Sequence, residues 1–137
     1  PNRPLRRIAS SGEISRVMLA VKSVLADHDR IPVLVFDEID ANIGGETATA
    51  VGARLADLAR THQVIAITHM PQVAAWGRAH YAVRKRVAGN RTRTAIDRLA
   101  ESARPEELAR MLGGRSVTSV VLQHAQELLQ KAGAARR

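Results

Sequence analysis

Two acids, Asp37 and Glu38, directly follow the apolar run Val33-Leu34-Val35-Phe36. Adjacent carboxylates at the end of a buried strand suit phosphate chemistry. One acid holds Mg²⁺ and the other orients or activates a water molecule. The competing reading is a strand end that finishes in two solvated acids. His69 closes a second apolar run, Val64 to Thr68. An imidazole beside the acids would donate to a γ-phosphate or hold the attacking water; away from them it would be a surface or helix-capping histidine. A third candidate precedes both. Ser10 and Gly12 stand just before an apolar helical pattern, where free backbone N–H groups and the helix dipole attract an anion. The plain alternative there is an ordinary N-cap.

These residues need elements to carry them. Neither apolar run alternates, which predicts short parallel strands over 33–37 and 64–68, buried on both faces. Open α/β sheets bind ligands at the carboxyl ends of such strands. If the two strands are neighbours, Asp37, Glu38 and His69 share one rim. A helix is predicted over 13–27, with Ser10 or Ser11 as cap and Ile14, Val17, Met18, Val21 and Leu25 facing inward. Ile31-Pro32 breaks the chain. A second helix, about 46–60, follows Gly44-Gly45 with Ala48, Val51, Leu55 and Leu58 inside. Pro71 begins a short helix through Trp76.

Residues 81–87 and 91–97 read as a hairpin across Ala88-Gly89-Asn90. Pro105, Glu106 and Glu107 open a helix that Gly113-Gly114 ends. Ser116 would cap a last helix whose inner face is Val117, Val120, Val121, His124 and Leu128, with His124 packed and hydrogen-bonded. Residues 1–9 read as an extended lead-in and 133–137 as a frayed tail. The order strand–helix–strand–helix gives a single α/β domain, a parallel sheet flanked by helices with a small late hairpin.

Composition bounds the classes. The chain has 137 residues, 45% hydrophobic and 2% aromatic, so Val, Leu, Ile and Ala must fill the core. It has no cysteine, which excludes disulfides and thiolate metal sites and agrees with a cytoplasmic protein. No apolar run is long enough for a membrane span. The net charge of +8 favours polyanionic partners, nucleic acid first. An Arg-rich genome would give the same balance. The chain opens Pro1-Asn2-Arg3-Pro4 without Met, which suggests a fragment or a processed product.

Taken together, the motifs resemble a known family. Ser-x-Gly-Glu, then apolar-Asp-Glu-x-Asp, then Thr-His, is similar to the C-terminal lobe of an ABC-type ATPase head. Ser-Gly-Glu-Ile-Ser-Arg-Val-Met-Leu-Ala, Val-Phe-Asp-Glu-Ile-Asp-Ala, Ile-Gly-Gly and Ile-Thr-His-Met-Pro-Gln-Val-Ala-Ala narrow this to the SMC-like RecN family of bacterial DNA repair ATPases. The resemblance runs from about Ile8 to Leu129. It implies that Ser10 and Gly12 belong to the signature motif, which contacts the γ-phosphate of an ATP held by an opposite head. It makes Asp37 the Walker B aspartate that binds Mg²⁺, Glu38 the catalytic glutamate, Asp40 the D-loop aspartate at the dimer seam and His69 the switch histidine. It also implies two heads sandwiching two ATP molecules, and action at DNA double-strand breaks in recombinational repair on the nucleoid. Two positions depart from the family pattern. Ser11 stands where the family has Gly, and a Cβ there would crowd the γ-phosphate or strain a backbone that needs positive φ. Asn42 also replaces Gly, a mild change because Asn tolerates the left-handed region.

No Gly-x-x-x-x-Gly-Lys-Ser/Thr occurs in the sequence. The water-activating side of an ATP site is therefore present without the phosphate cradle, which the N-terminal lobe of the same head would bring. ATP and Mg²⁺ would both need that lobe, and the chain alone is expected to be inactive. Two other readings stay open: a non-catalytic DNA-binding or head-dimerisation module, and the matching lobe of a membrane-transporter ATPase, against which the wording after His69 argues. Arg84, Lys85, Arg86, Arg91 and Arg93 cluster on the predicted hairpin, as a phosphate-contacting face or as a solvated, like-charged one.

Overall fold

The computed structural model describes residues 9–26, 28, 31–88, 91–114 and 116–135, without the side chains at 86–88 and 91. Residues 1–8 of the expected lead-in over 1–9, the turn residues 89–90 and the last two positions lie outside the described residues.

Local chemistry starts each element. Helix α1 (Ser11–Leu25) opens on a capping box: the Ser10 hydroxyl accepts from the Glu13 N–H, and the Glu13 carboxylate accepts from the Ser10 N–H. Strand β1 (Val33–Phe36) leads into α2 (Gly45–Leu58), and β2 (Gln63–Ala66) returns parallel to β1, with Val33 opposite Gln63 and Phe36 opposite Ala66. Pro71 begins α3 (Pro71–Ala74), where its missing N–H costs nothing. An antiparallel hairpin, β3 (Tyr81–Ala88) and β4 (Arg91–Arg98), follows. A 3-10 turn at Glu101–Ala103, α4 (Arg104–Gly113) and α5 (Ser119–Ala135) complete the described chain.

Two cores result. The first joins Leu34 and Phe36 of β1 to Leu19 of α1, to Ile39 and Val73, and to Ala48, Val51, Leu55 and Leu58 of α2. The inner face of α2 is the predicted one. The second gathers Ala75, Leu108, Ala109, Ala125 and Ala132, with Trp76, Leu112, Val121, Leu128 and Leu129 around them. Gly52 lets α2 meet Trp76, since a Cβ at Gly52 would lie 2.3 Å from Trp76 Cδ1. Buried Arg104 joins the region after α3 to α4 by donating to the carbonyls of Gly77 (2.8 Å) and Ala75 (3.4 Å).

The α/β order holds, but three burial expectations do not. The strands are not covered on both faces. Leu34 and Phe36 point into the core, while Val33, Val35, Ile65 and Ile67 are exposed, Val35 by 62%. The chain places its helical core on one side of this strand pair, and a non-alternating run is buried twice only where a second layer covers it. Helix α1 is also rotated from the predicted face. Ile14, Val17, Met18, Val21 and Leu25 are exposed; Gly12 and Leu19 are buried, with Ser15 and Arg16 partly so. The stripe that packs is the one able to hydrogen-bond the loop after β1.

Helix α5 begins later than predicted. Thr118 Oγ1, not Ser116, accepts the Val121 N–H at 3.3 Å. Its buried residues are Ala125 and Ala132, while Val117, Val120 and His124 lie outside, His124 beside Glu127 at 3.8 Å. Small Ala side chains let α5 approach α4, so His124 is not the packed histidine expected. The helix continues through Ala135 instead of fraying at Gly133.

Candidate functional site

The loop leaving β1 carries Asp37 and Glu38 at the expected end of the strand. It is sharply wound. Glu38 takes φ 52° and Asn42 φ 59°, and the Ala41 N–H donates to the Glu38 carbonyl at 3.0 Å. A left-handed Glu is uncommon and persists only where its surroundings hold it. Asn42 adopts the conformation its type tolerates. Ser11 lies within α1 and not in the left-handed region, so a Cβ there meets no backbone strain.

Helix α1 does the holding. The Ser15 hydroxyl donates to the Asp37 carbonyl at 2.8 Å, and Arg16 donates to the carbonyls of Ile39 (3.1 Å) and Ala41 (2.9 Å). Gly12 lies flat against the same loop: a Cβ there would sit 2.7 Å from the Glu38 carbonyl oxygen and 2.8 Å from Ala41 Cβ. Gly12→Ala is therefore expected to lower stability by about 1–3 kcal/mol. Urea unfolding followed by circular dichroism checks this; an unchanged midpoint would mean the loop moves aside freely.

Asp40 organises the facing loop after β2. It is 1% exposed. Its Oδ2 accepts the Thr68 hydroxyl, the His69 N–H (2.9 Å) and the Met70 N–H (3.0 Å). Burial pushes its pKa up, but these hydrogen bonds outweigh burial and hold the carboxyl below its ordinary value. The same oxygen lies 3.2 Å from His69 Nδ1. The His69 side chain is 75% exposed.

Asp37, Glu38, Asp40, Ile67, Thr68 and His69 line one open cavity of about 170 Å³. The parallel register of β1 and β2 brings the two acids and the histidine together, as the sequence predicted. The Ser11 hydroxyl donates to Glu38 Oε2 and ties the carboxylate to the start of α1. Ser10 and Gly12 stand elsewhere. Ser10 is committed to the capping box, and Gly12 packs behind Glu38. Asp40 lies beneath the site as its organiser. Ser15, Arg16 and Thr68 carry much of the geometry and escaped the sequence reading, because their partners lie 22 to 28 positions away and leave no local signal.

No group of three or more metal-binding side chains occurs among the described residues. The donor set still fits Mg²⁺, which keeps several waters and is bound by one or two carboxylates together with substrate phosphates. Asp37 and Glu38 are exposed carboxylates on the cavity rim.

Known proteins bear on this arrangement. No family model matches the chain. It is 49% identical to the DNA repair protein RecN of Treponema pallidum over 137 residues, all of this chain and 24% of that protein. The RecN of Streptomyces coelicolor is 46% identical over 99% of the chain, and that of Xylella fastidiosa strain Temecula1 48% over 96%, each again matched over 24% of its own length. The chain thus spans about a quarter of the length of these relatives. Among solved structures, a chain from work on ATP-driven dimerization and DNA stimulated activation of SMC ATPases shares the fold. Its TM-score is 0.56 at 18% identity, over 80% of this chain and 66% of that one. The motifs around Asp37 and His69, the parallel strands that join them and identity close to one half along the whole chain agree: the chain matches a segment about a quarter of the length of the DNA repair protein RecN.

Proposed function

We propose that this chain is the C-terminal, water-activating half of an ATP-hydrolysing head that serves recombinational repair of DNA double-strand breaks. The observation that carries the reading is the shared rim: Asp37, Glu38 and His69 around one cavity at the ends of two parallel strands. Bound Mg²⁺ would neutralise charge on the phosphate oxygens. Asp37 would hold that cation, directly or through water. Glu38 would accept hydrogen from the attacking water and polarise it. His69 would donate to the γ-phosphate or hold the attacking water, with Asp40 beside its ring. Ser10 and Gly12, at the start of α1, would address a nucleotide held by a second head.

The phosphate cradle must come from another lobe. The exposed apolar residues Val33, Val35, Ile65 and Ile67 on the uncovered face of the strand pair, with Val17, Met18 and Val21 on α1, give that lobe a surface to bury. In the full protein we place the head in an ATP-sandwiched homodimer, on DNA in the cytoplasm. No helix among the described residues is long and apolar enough to cross a membrane.

One observation favours a second reading, a head-dimerisation or DNA-binding module without turnover. The Ser11 hydroxyl already occupies an oxygen of Glu38. The two readings separate when the chain is mixed with the N-terminal lobe and ATP hydrolysis is followed with and without DNA. Turnover by the mixture, stimulated by DNA, with neither part active alone, is the expected result. A folded complex that binds ATP without hydrolysing it would favour the second reading.

A further inference from the structure

The β3–β4 ribbon concentrates charge in an ordered way. Residues 81–98 hold six cationic side chains and one acid, more than half of the net +8 of the chain. The register sorts them. Arg84 lies opposite Ala95, position 86 opposite Arg93, and position 88 opposite Arg91. Because alternate residues of a strand share a face, positions 84, 86, 91 and 93 form one row, and all four are arginine. The other face pairs Tyr81 with Arg98, Val83 with Ile96 and Lys85 with Thr94, and is largely apolar at its base.

The register sets position 86 opposite Arg93, and like charges placed opposite each other weaken a ribbon. The base of the row is fixed to the body. Arg84 lies 3.6 Å from the Glu107 carboxylate, which is 7% exposed and is also gripped by Arg110 at 2.6 Å. Hydrogen bonding from Arg110, with the nearby charge of Arg84, holds the Glu107 pKa below its ordinary value, so this acid stays ionised and keeps Arg84 in place. Arg93, further out, is exposed.

We propose that this arginine row is a binding surface for the phosphate backbone of duplex DNA. No residue of the row is aromatic, so the row has no platform for stacking the bases of single strands. Arginines in a line contact phosphates, which position a duplex without reading its sequence. A two-stranded ribbon is also narrow enough for the major groove, about 12 Å wide. This site lies on the hairpin, apart from the Asp37–His69 cavity, and binding through it needs no nucleotide.

The test is fluorescence anisotropy of a short labelled duplex with the whole chain over a range of salt concentrations. Arg86→Glu with Arg93→Glu alters the row; Lys85→Glu with Arg98→Glu alters the opposite face by the same charge. The row variant is expected to weaken binding by about tenfold or more, and its log–log salt slope to shrink by about two. The opposite-face variant is expected to change affinity by less than about threefold. Circular dichroism establishes that each variant is folded, and Arg86→Gln with Arg93→Gln serves if the charge reversals unfold it. Equal losses from both faces, no duplex binding, or equally tight row-dependent binding to phosphatidylserine vesicles would overturn the proposal. Failure here leaves the ATPase reading standing, since that reading is judged by turnover in the reassembled head.

Discussion

Glu38→Gln is expected to reduce ATP turnover by the reassembled head by about 10²- to 10⁴-fold, the usual worth of a positioned general base. The amide is nearly isosteric. It keeps an oxygen for the Ser11 hydroxyl and removes only the charge that polarises water. Its side chain is exposed, so folding should be untouched. Nucleotide-driven association with the N-terminal lobe should persist, because Glu38 is assigned no part in holding phosphate. The informative pair of measurements is steady-state phosphate release and ATP binding on the same sample. Loss of release with binding retained is the expected pattern. Release at the unsubstituted rate would remove Glu38 from the chemistry and leave Asp37 and His69 without a base to serve.

Asp40→Ala is expected to be the most damaging change to the fold of the site, lowering stability by about 2–4 kcal/mol. It strands the Thr68 hydroxyl and the N–H groups of His69 and Met70 around a cavity. The ring of His69 loses the carboxylate beside its Nδ1, so turnover should fall with stability. The effect carries a pH signature. The Asp40 pKa is lowered in the folded state from an ordinary value of 3.8. Its contribution is therefore fully present above that value and is lost as pH falls below it toward the folded-state pKa. Urea midpoints of the unsubstituted chain should drop in that acid range more steeply than those of Asp40→Asn, which has no charge to lose. Parallel curves would mean that the charge of Asp40 contributes nothing.

Much of the site was legible in residue types and their order. Apolar runs ending in Asp37-Glu38 and in Thr68-His69 announce strands with chemistry at their carboxyl ends, because few other arrangements satisfy four or five consecutive apolar residues in so short a stretch. Ser10 before an apolar helical pattern announces a cap, and Pro71 a helix start. Local hydrogen bonding and steric limits decide such features, so they need no knowledge of distant residues.

Burial was another matter. Periodicity on α1 pointed to Ile14, Val17, Met18, Val21 and Leu25, yet the helix turns Gly12, Ser15, Arg16 and Leu19 inward. The carbonyls of Asp37, Ile39 and Ala41 offer that stripe hydrogen bonds that the apolar stripe has no groups to make. On α5 two alanines won over larger residues because they permit closer approach. By resemblance Asp40 read as a D-loop aspartate at a dimer seam, and only its depth beneath His69 makes it the organiser.

What the sequence determined alone is the set of reactive groups, the elements that carry them and the charge pattern of the hairpin, since each follows from neighbours along the chain. Which helix face is covered, which acid is buried and which hydroxyl meets Glu38 depend on partners 20 to 30 positions away, as with Ser11 and Glu38 or Thr68 and Asp40. Those choices are made by competition for close contact and buried hydrogen bonds in three dimensions, which no spacing along the chain records.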